Sequence, residues 1–129
     1  MTEPAPLRKP TEAELDILRV LWARGEASVR DVHAALGAER RTGYTTVLKL
    51  MQIMTEKGLV TRREAGKAHL YQAAMRESDM QGRLLRDLSV KLCAGSTAML
   101  AMHALSLDAA SDEELERIKA LIARKRGQS

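Results

Sequence analysis

Apolar residues recur at helical spacing through the first third of the 129-residue chain, switch once to alternation, and then return to helical spacing. The first ten residues hold all three prolines and read as a flexible N-terminal arm, 1–10. Thr11-Glu12-Ala13-Glu14 then has the form of a capping box, a hydroxyl at the N-cap and a carboxylate three residues on. Leu15, Leu18, Leu21 and Trp22 follow at helical spacing, and Gly25 closes the element near Arg24. Ser28 is placed to cap a second, short helix through Val29, Val32 and Leu36, ended by Gly37. A third helix is expected from near Thr42 to Lys57, stopping at Gly58. Its apolar positions Val47, Leu50, Met51 and Met54 gather on one side. At about 100° per residue, Thr45, Lys49, Gln52 and Glu56 fall on the other.

The period then changes. Leu59-Val60-Thr61-Arg62-Arg63-Glu64 is compatible with a strand, Ala65-Gly66-Lys67 with a turn, and Ala68-His69-Leu70-Tyr71-Gln72 with a returning strand. Leu70 is out of phase with His69 and Tyr71, so alternation leaves open which face is buried. Three short helices followed directly by a hairpin make the winged form of a helix-turn-helix domain, here 11–74. In that arrangement the third helix enters the major groove of DNA and the hairpin lies over the backbone.

From Met75 the chain is helical again. Met80, Leu84, Leu88 and Leu92 repeat every four residues with Leu85 beside them, and Gly95 interrupts. A further segment carries Met99, Leu100, Met102 and Leu105. Ser111-Asp112-Glu113-Glu114 is another capping box, opening a helix with Leu115, Ile118, Leu121 and Ile122. Its closing Arg124-Lys125-Arg126 suits the negative end of the helix dipole. These stripes are too thin to bury one another. Residues 75–129 therefore read as a helical dimerisation region, with Leu84, Leu88, Leu92, Leu115, Ile118, Leu121 and Ile122 in its seam. The fold class expected is mainly α with a small β-hairpin.

Composition sharpens this picture. Trp22, Tyr44 and Tyr71 are the only aromatics and Phe is absent, so the core must come from aliphatic residues and seven Met, which favours helices. With 45% hydrophobic and 29% charged residues the chain is not disordered as a whole. Net charge is +4, unevenly spread. Residues 40–74 hold seven cations (Arg40, Arg41, Lys49, Lys57, Arg62, Arg63, Lys67) against Glu56 and Glu64, so they carry +5 and the rest about −1. A basic centre on a near-neutral chain suggests a polyanion partner. No apolar run approaches the roughly 18 residues of a membrane span, and 1–10 lacks an apolar signal core, so a soluble cytoplasmic protein without membrane insertion is expected. Cys93 is the single cysteine, which excludes an intramolecular disulfide and a multi-Cys zinc site.

The candidate reading segment is Arg41-Thr42-Gly43-Tyr44-Thr45-Thr46-Val47-Leu48-Lys49. Hydroxyls and N–H groups at a helix start bond phosphates or base edges, and Lys49 lies one turn on from Thr45. The plainer alternatives make Thr42 an N-cap and Tyr44 a packing residue. Arg62, Arg63, Lys67 and His69 form a candidate phosphate clamp on the hairpin, against the alternative of a merely solvated charged loop. Catalysis finds no support: His33, His69 and His103 are scattered, no Gly-rich phosphate loop is present, and Glu12, Glu14 and Asp16 fit a solvated, capping surface of helix one. Cys93, Met99, Met102 and His103 supply soft ligands of the kind copper(I) takes. Met99 and Met102 at i,i+3 also fit a core stripe, and Cys93 a small buried hydrophobe. No metal or cofactor is expected. A winged-helix module that binds protein rather than DNA is the competing function class, and a soft-metal-responsive repressor is the third reading.

Several segments resemble the penicillinase-repressor family, the BlaI/MecI/CopY type. Residues 11–22 resemble its opening helix. Tyr44-Thr45-Thr46-Val47-Leu48-Lys49-Leu50-Met51 with Glu56-Lys57-Gly58-Leu59-Val60 resembles its recognition helix and the start of its wing. Gly66-Lys67 and Tyr71 resemble the rest of the wing, and Ser111-Asp112-Glu113-Glu114-Leu115 its last helix. The resemblance covers about residues 9–125 and implies a homodimeric repressor on an inverted-repeat operator with TACA/TGTA-type half-sites. It implies Thr45, Thr46 and Lys49 on the groove side and Arg62, Arg63 and Lys67 near phosphates. In antibiotic-responsive members a sensor protease triggers cleavage in the dimerisation region, which makes such a protease a candidate partner here. The inducing signal itself is inherited neither from that branch nor from the copper-responsive one. Three departures stand out. Ile53 occupies a place where family members often carry Arg, the Asn-Phe pair of antibiotic-responsive members is missing near Met99-Leu100-Ala101-Met102, and the Cys-x-Cys motifs of copper-responsive members are absent.

Overall fold

Local capping chemistry sets where the helices begin. A computed structural model describes residues 9–37 and 42–128. In α1 (Glu12–Arg24) the Thr11 hydroxyl accepts from the Glu14 N–H at 3.2 Å, and Glu14 Oε1 accepts from the Thr11 N–H at 2.9 Å. In α2 (Val29–Leu36) Ser28 and Asp31 repeat the reciprocal pair at 3.1 Å each way. Each box satisfies two N–H groups that a helix start leaves without intrahelical partners. The third helix, α3 (Tyr44–Lys57), begins two residues later than its sequence suggests. Gly43 is its N-cap, with no side-chain cap, and Thr42 lies before the helix.

The three helices bury one apolar face each. Ile17, Leu18 and Leu21 of α1, Val32 of α2 and Val47, Met51 and Met54 of α3 are all essentially inaccessible. Two unbranched methionines fill the interior where most proteins of this size use aromatic rings. Tyr71 is the one aromatic that is fully buried among the described residues.

The hairpin docks on this core through its second strand. β1 (Val60–Ala65) and β2 (Ala68–Ala73) pair antiparallel from Val60↔Ala73 to Ala65↔Ala68. A two-residue turn of this kind needs a left-handed first position, and Gly66 supplies it at φ 63°. Ala27, in the α1–α2 connection, exchanges backbone hydrogen bonds with Tyr71, at 3.0 Å from Ala27 N–H and 2.8 Å from Tyr71 N–H. Burial settles the face left open by alternation: Tyr71 points inward, and His69, two residues away on the same face, is exposed.

The chain divides into two units, Met1–Leu84 and Leu85–Ser129. Helix α4 (Glu77–Cys93) begins in the first, where Met80 is buried and Leu84 packs against the core. In the second, Ser89 and Cys93 of α4 are buried, while α5 (Thr97–Leu107) and α6 (Asp112–Gly127) have no buried residue. Gly95, at φ 90°, separates α4 from α5, and Ser111 and Glu114 cap α6 reciprocally. Among the described residues no single helix is long and apolar enough to cross a membrane.

One expectation is corrected. Glu14 is not a solvated surface acid: it is 1% exposed, and Lys57 Nζ at the far end of α3 lies 2.8 and 2.9 Å from its two oxygens. Burial pushes its pKa up, but the Lys57 ammonium and the Thr11 N–H outweigh that and hold it below the ordinary value of 4.5. A carboxyl lowered on folding stabilises fully above its unfolded value and loses that contribution as pH falls through the folded one. The wild-type midpoint for thermal unfolding should therefore fall relative to that of Glu14→Gln as pH drops below about 4.5. Lys57→Met, which leaves the carboxylate buried and unpaired, should cost about 3 kcal/mol at pH 7 in urea unfolding.

Candidate nucleic-acid interface

The face of α3 turned away from the core carries the candidate reading residues. Val47, Met51 and Met54 hold one side of the helix in the interior, which leaves Thr45, Thr46 and Lys49 exposed on the other. Arg41 lies outside the described residues, as does Arg40. Tyr44 is 47% exposed and stands edge-on to the His33 ring, with centroids 5.9 Å apart and planes at 83°. It is neither a core residue nor free of protein contact. His33 Nε2 donates to the Thr42 carbonyl oxygen at 3.0 Å, so one α2 side chain touches both residues that flank Gly43. This compensates for the missing side-chain cap by holding the backbone that enters α3.

The basic segment divides once ion pairs are considered. Lys57 is taken up by Glu14, and Arg63 by Glu26, with Nε to Oε2 at 2.7 Å and Nη2 to Oε1 at 2.8 Å. The Arg63 guanidinium holds the Glu26 carboxyl below its ordinary range. Among the described residues Lys49, Arg62 and Lys67 form no ion pair and are exposed. Sequence reasoning overlooked Arg30. It is an exposed cation in the first turn of α2, and with Tyr44, Lys67 and His69 it lines a cleft of about 380 Å³ between α2, α3 and the hairpin. Its position two residues after the Ser28 cap was the available signal. The described residues offer hydroxyls, N–H groups and unpaired cations to a phosphate chain.

The candidate seam residues lie elsewhere. Leu84 is half-buried against the first unit's core, whereas Leu88 and Leu92 are exposed on α4. In the second unit, Met102, Leu105, Ile118, Leu121 and Ile122 line an open apolar groove of about 540 Å³ between α5 and α6, with Leu115 also exposed. Cys93 is buried while Met99 and Met102 are exposed. Among the described residues no group of three His, Cys, Asp or Glu side chains is placed to hold a metal ion.

Residues 10–124 match the family model for the penicillinase repressor. The chain belongs to that family. It is 33% identical over 84 residues to the transcriptional regulator BlaI of Mycobacterium tuberculosis, a match that spans 64% of this chain and 61% of that protein. The methicillin resistance regulatory protein MecI of Mammaliicoccus sciuri is 20% identical over 115 residues, 89% of this chain and 94% of MecI. The solution structure of the DNA-binding domain of the repressor BlaI superposes with a TM-score of 0.51 at 20% identity, covering 57% of this chain and 90% of that domain. The Bacillus licheniformis BlaI monomer, solved in complex with the blaP half-operator, gives 0.50 at the same identity and coverage. These likenesses establish the winged-helix fold. The family is one of repressors, not of enzymes.

If His33 holds the entry to α3, His33→Ala should loosen that end first. The Val47 amide, bonded to the Gly43 carbonyl at 3.1 Å, should exchange about fivefold faster, equivalent to about 1 kcal/mol. Exchange at the Met54 end should be unchanged, and equal acceleration along α3 would contradict a local role.

Proposed function

We propose that this penicillinase-repressor chain is a sequence-specific transcriptional repressor that acts in the cytoplasm as a homodimer on an inverted-repeat operator. The observation that carries this reading is the two-sided α3: its apolar stripe is sunk in the core while Thr45, Thr46 and Lys49 face outward without ion-pair partners. A helix held in this way presents a fixed row of donors to a major groove. Residues 11–74, with Arg41, Thr42 and Tyr44 at the start of the reading segment, form the DNA-binding domain, and Arg62 and Lys67 lie near phosphates on the wing that also carries the Glu26-paired Arg63.

Residues 75–129 hold the dimer through Leu84, Leu88, Leu92, Leu115, Ile118, Leu121 and Ile122. The exposed apolar side chains of α4, α5 and α6 support this, since twelve large hydrophobics stand exposed among the described residues and most of them lie in these helices. A second copy is the simplest partner for such a surface. Dimerisation doubles the contact set and fixes half-site spacing, so operator release follows from loss of the dimer. Cleavage within 75–129 by a sensor protease is one such route.

Fluorescence anisotropy tests the reading on DNA from upstream of the protein's own gene and on random duplex, across a salt series. A dimer with about three to five phosphate contacts per subunit should give a log–log slope of roughly −5 to −9. A flat slope would favour the protein-binding module. Lys49→Ala should weaken operator binding by about 1–3 kcal/mol if Lys49 reads a base edge, and an equal loss on random duplex would make it a phosphate contact. Leu88→Asp should convert the dimer to monomer in light scattering by placing a charge in the seam, and a dimer that survives it would locate the seam elsewhere.

A further inference from the structure

Arg63 and Glu26 form a two-point ion pair that spans the middle of a three-segment sheet. Ala27 pairs with Tyr71 of β2, and Tyr71 pairs in turn with Arg62 of β1, so these three residues make one row. Tyr71 in that row points into the core. Successive residues of a strand point to opposite faces, so Glu26 and Arg63, each one step from the row, share the outer face. The Arg63 side chain therefore reaches across β2 to the α1–α2 connection. There its fork meets both carboxylate oxygens at 2.7 and 2.8 Å. Such fork-to-fork pairs fix orientation as well as proximity.

We propose that Arg63 is a positioning residue of the wing, its charge neutralised by Glu26, and that phosphate contact on the hairpin falls to Arg62 and Lys67. β2 is already tied to the α1–α2 connection by the Ala27–Tyr71 hydrogen bonds. β1 reaches that anchor only through β2, and the ion pair adds a direct tie from its middle. Arg62 stands beside Arg63 on the same strand and Lys67 is at the turn, so holding β1 sets where both unpaired cations lie. Two adjacent arginines of equal appearance thus have different tasks: Arg63 holds the hairpin from its outer face, and Arg62, on the opposite face of β1, stays exposed and unpaired.

The inference rests on the DNA-binding reading for its second half, and two measurements on the full-length protein separate the halves. The first is the salt slope of operator binding in Arg62→Gln, Arg63→Gln and Lys67→Gln. Loss of one phosphate contact per subunit should flatten the slope by about 0.9 per subunit for Arg62→Gln and for Lys67→Gln. Arg63→Gln should leave the slope unchanged while lowering affinity. The second is amide exchange of residues 60–73 in the free protein. It should quicken severalfold in both Glu26→Gln and Arg63→Gln, and the charge-reversed pair Glu26→Arg with Arg63→Glu should restore protection.

A flattening in Arg63→Gln equal to that in Arg62→Gln overturns the assignment and makes Arg63 a phosphate ligand. Unchanged exchange in both single variants overturns the positioning role. Wild-type protein that binds no DNA in a salt-dependent way overturns the roles given to Arg62 and Lys67, and the exchange arm then still decides what Arg63 does.

Discussion

A single buried carboxylate ties the start of α1 to the end of α3. Glu14 closes the α1 capping box and receives the Lys57 ammonium from 43 residues away. A carboxylate this deep is tolerated only when donors satisfy it. Its two oxygens have three donor contacts here, one from the Thr11 N–H and two from Lys57. Because the capping box fixes Glu14 relative to the axis of α1, the position of Lys57 follows, and with it the C-terminal end of the reading helix. At the other end His33 holds Thr42 and Tyr44. Between the two polar clamps, Val47, Met51 and Met54 prevent the helix from rolling. Hydrophobic burial alone resists withdrawal from the core but is not directional. The clamps add the directional restraint that a row of donors needs to meet a groove in register.

The hairpin follows the same division of labour. Tyr71 is its buried anchor, and the Ala27 bridge converts the α1–α2 connection into a third edge segment. An isolated two-stranded hairpin is marginal in water, so this pairing and the packing of Leu59 and Val60 are what make the wing a fixed element. The charge of the central segment reads differently once this is seen. Lys57 and Arg63 serve the fold, and Lys49, Arg62 and Lys67, with Arg30 from α2, remain exposed and outside any ion pair.

What was legible in the sequence was what is local. Capping boxes join residues three apart, helix ends fall at glycines, and a two-residue turn shows itself as Gly66-Lys67, so α1, α2, α6 and the hairpin could be read with little error. The outward positions Thr45, Thr46 and Lys49 followed from helical period alone. The start of α3 was misjudged because Thr42 is the better cap by residue type, yet the chain uses Gly43 and supplies the missing restraint from His33, nine residues before Thr42 in sequence. Glu14 was misread as a surface acid because its second partner lies in another helix, and no periodicity reports a contact over that separation. The inward face of the hairpin was undecidable for the same reason: the burial of Tyr71 among residues distant in sequence decides it.

The second unit differs in kind from the first. Helices α5 and α6 are well capped and carry apolar stripes, but not one of their side chains is buried. Short helices owe most of their stability in proteins to packing an apolar face, more than to propensity. An apolar stripe left in water forgoes roughly 25 cal/mol for each Å² that a partner would cover. The aliphatic composition bears on this: Leu, Ile and Met present narrow ridges suited to interlocking with another helix, and there is no aromatic residue after Tyr71 to plug the groove between α5 and α6 from within the chain. The first unit completes its own core with helices, a hairpin and a buried ion pair. The second leaves Leu115, Leu121 and Ile122 exposed, and that asymmetry is the physical ground on which the proposal gives reading to one unit and assembly to the other.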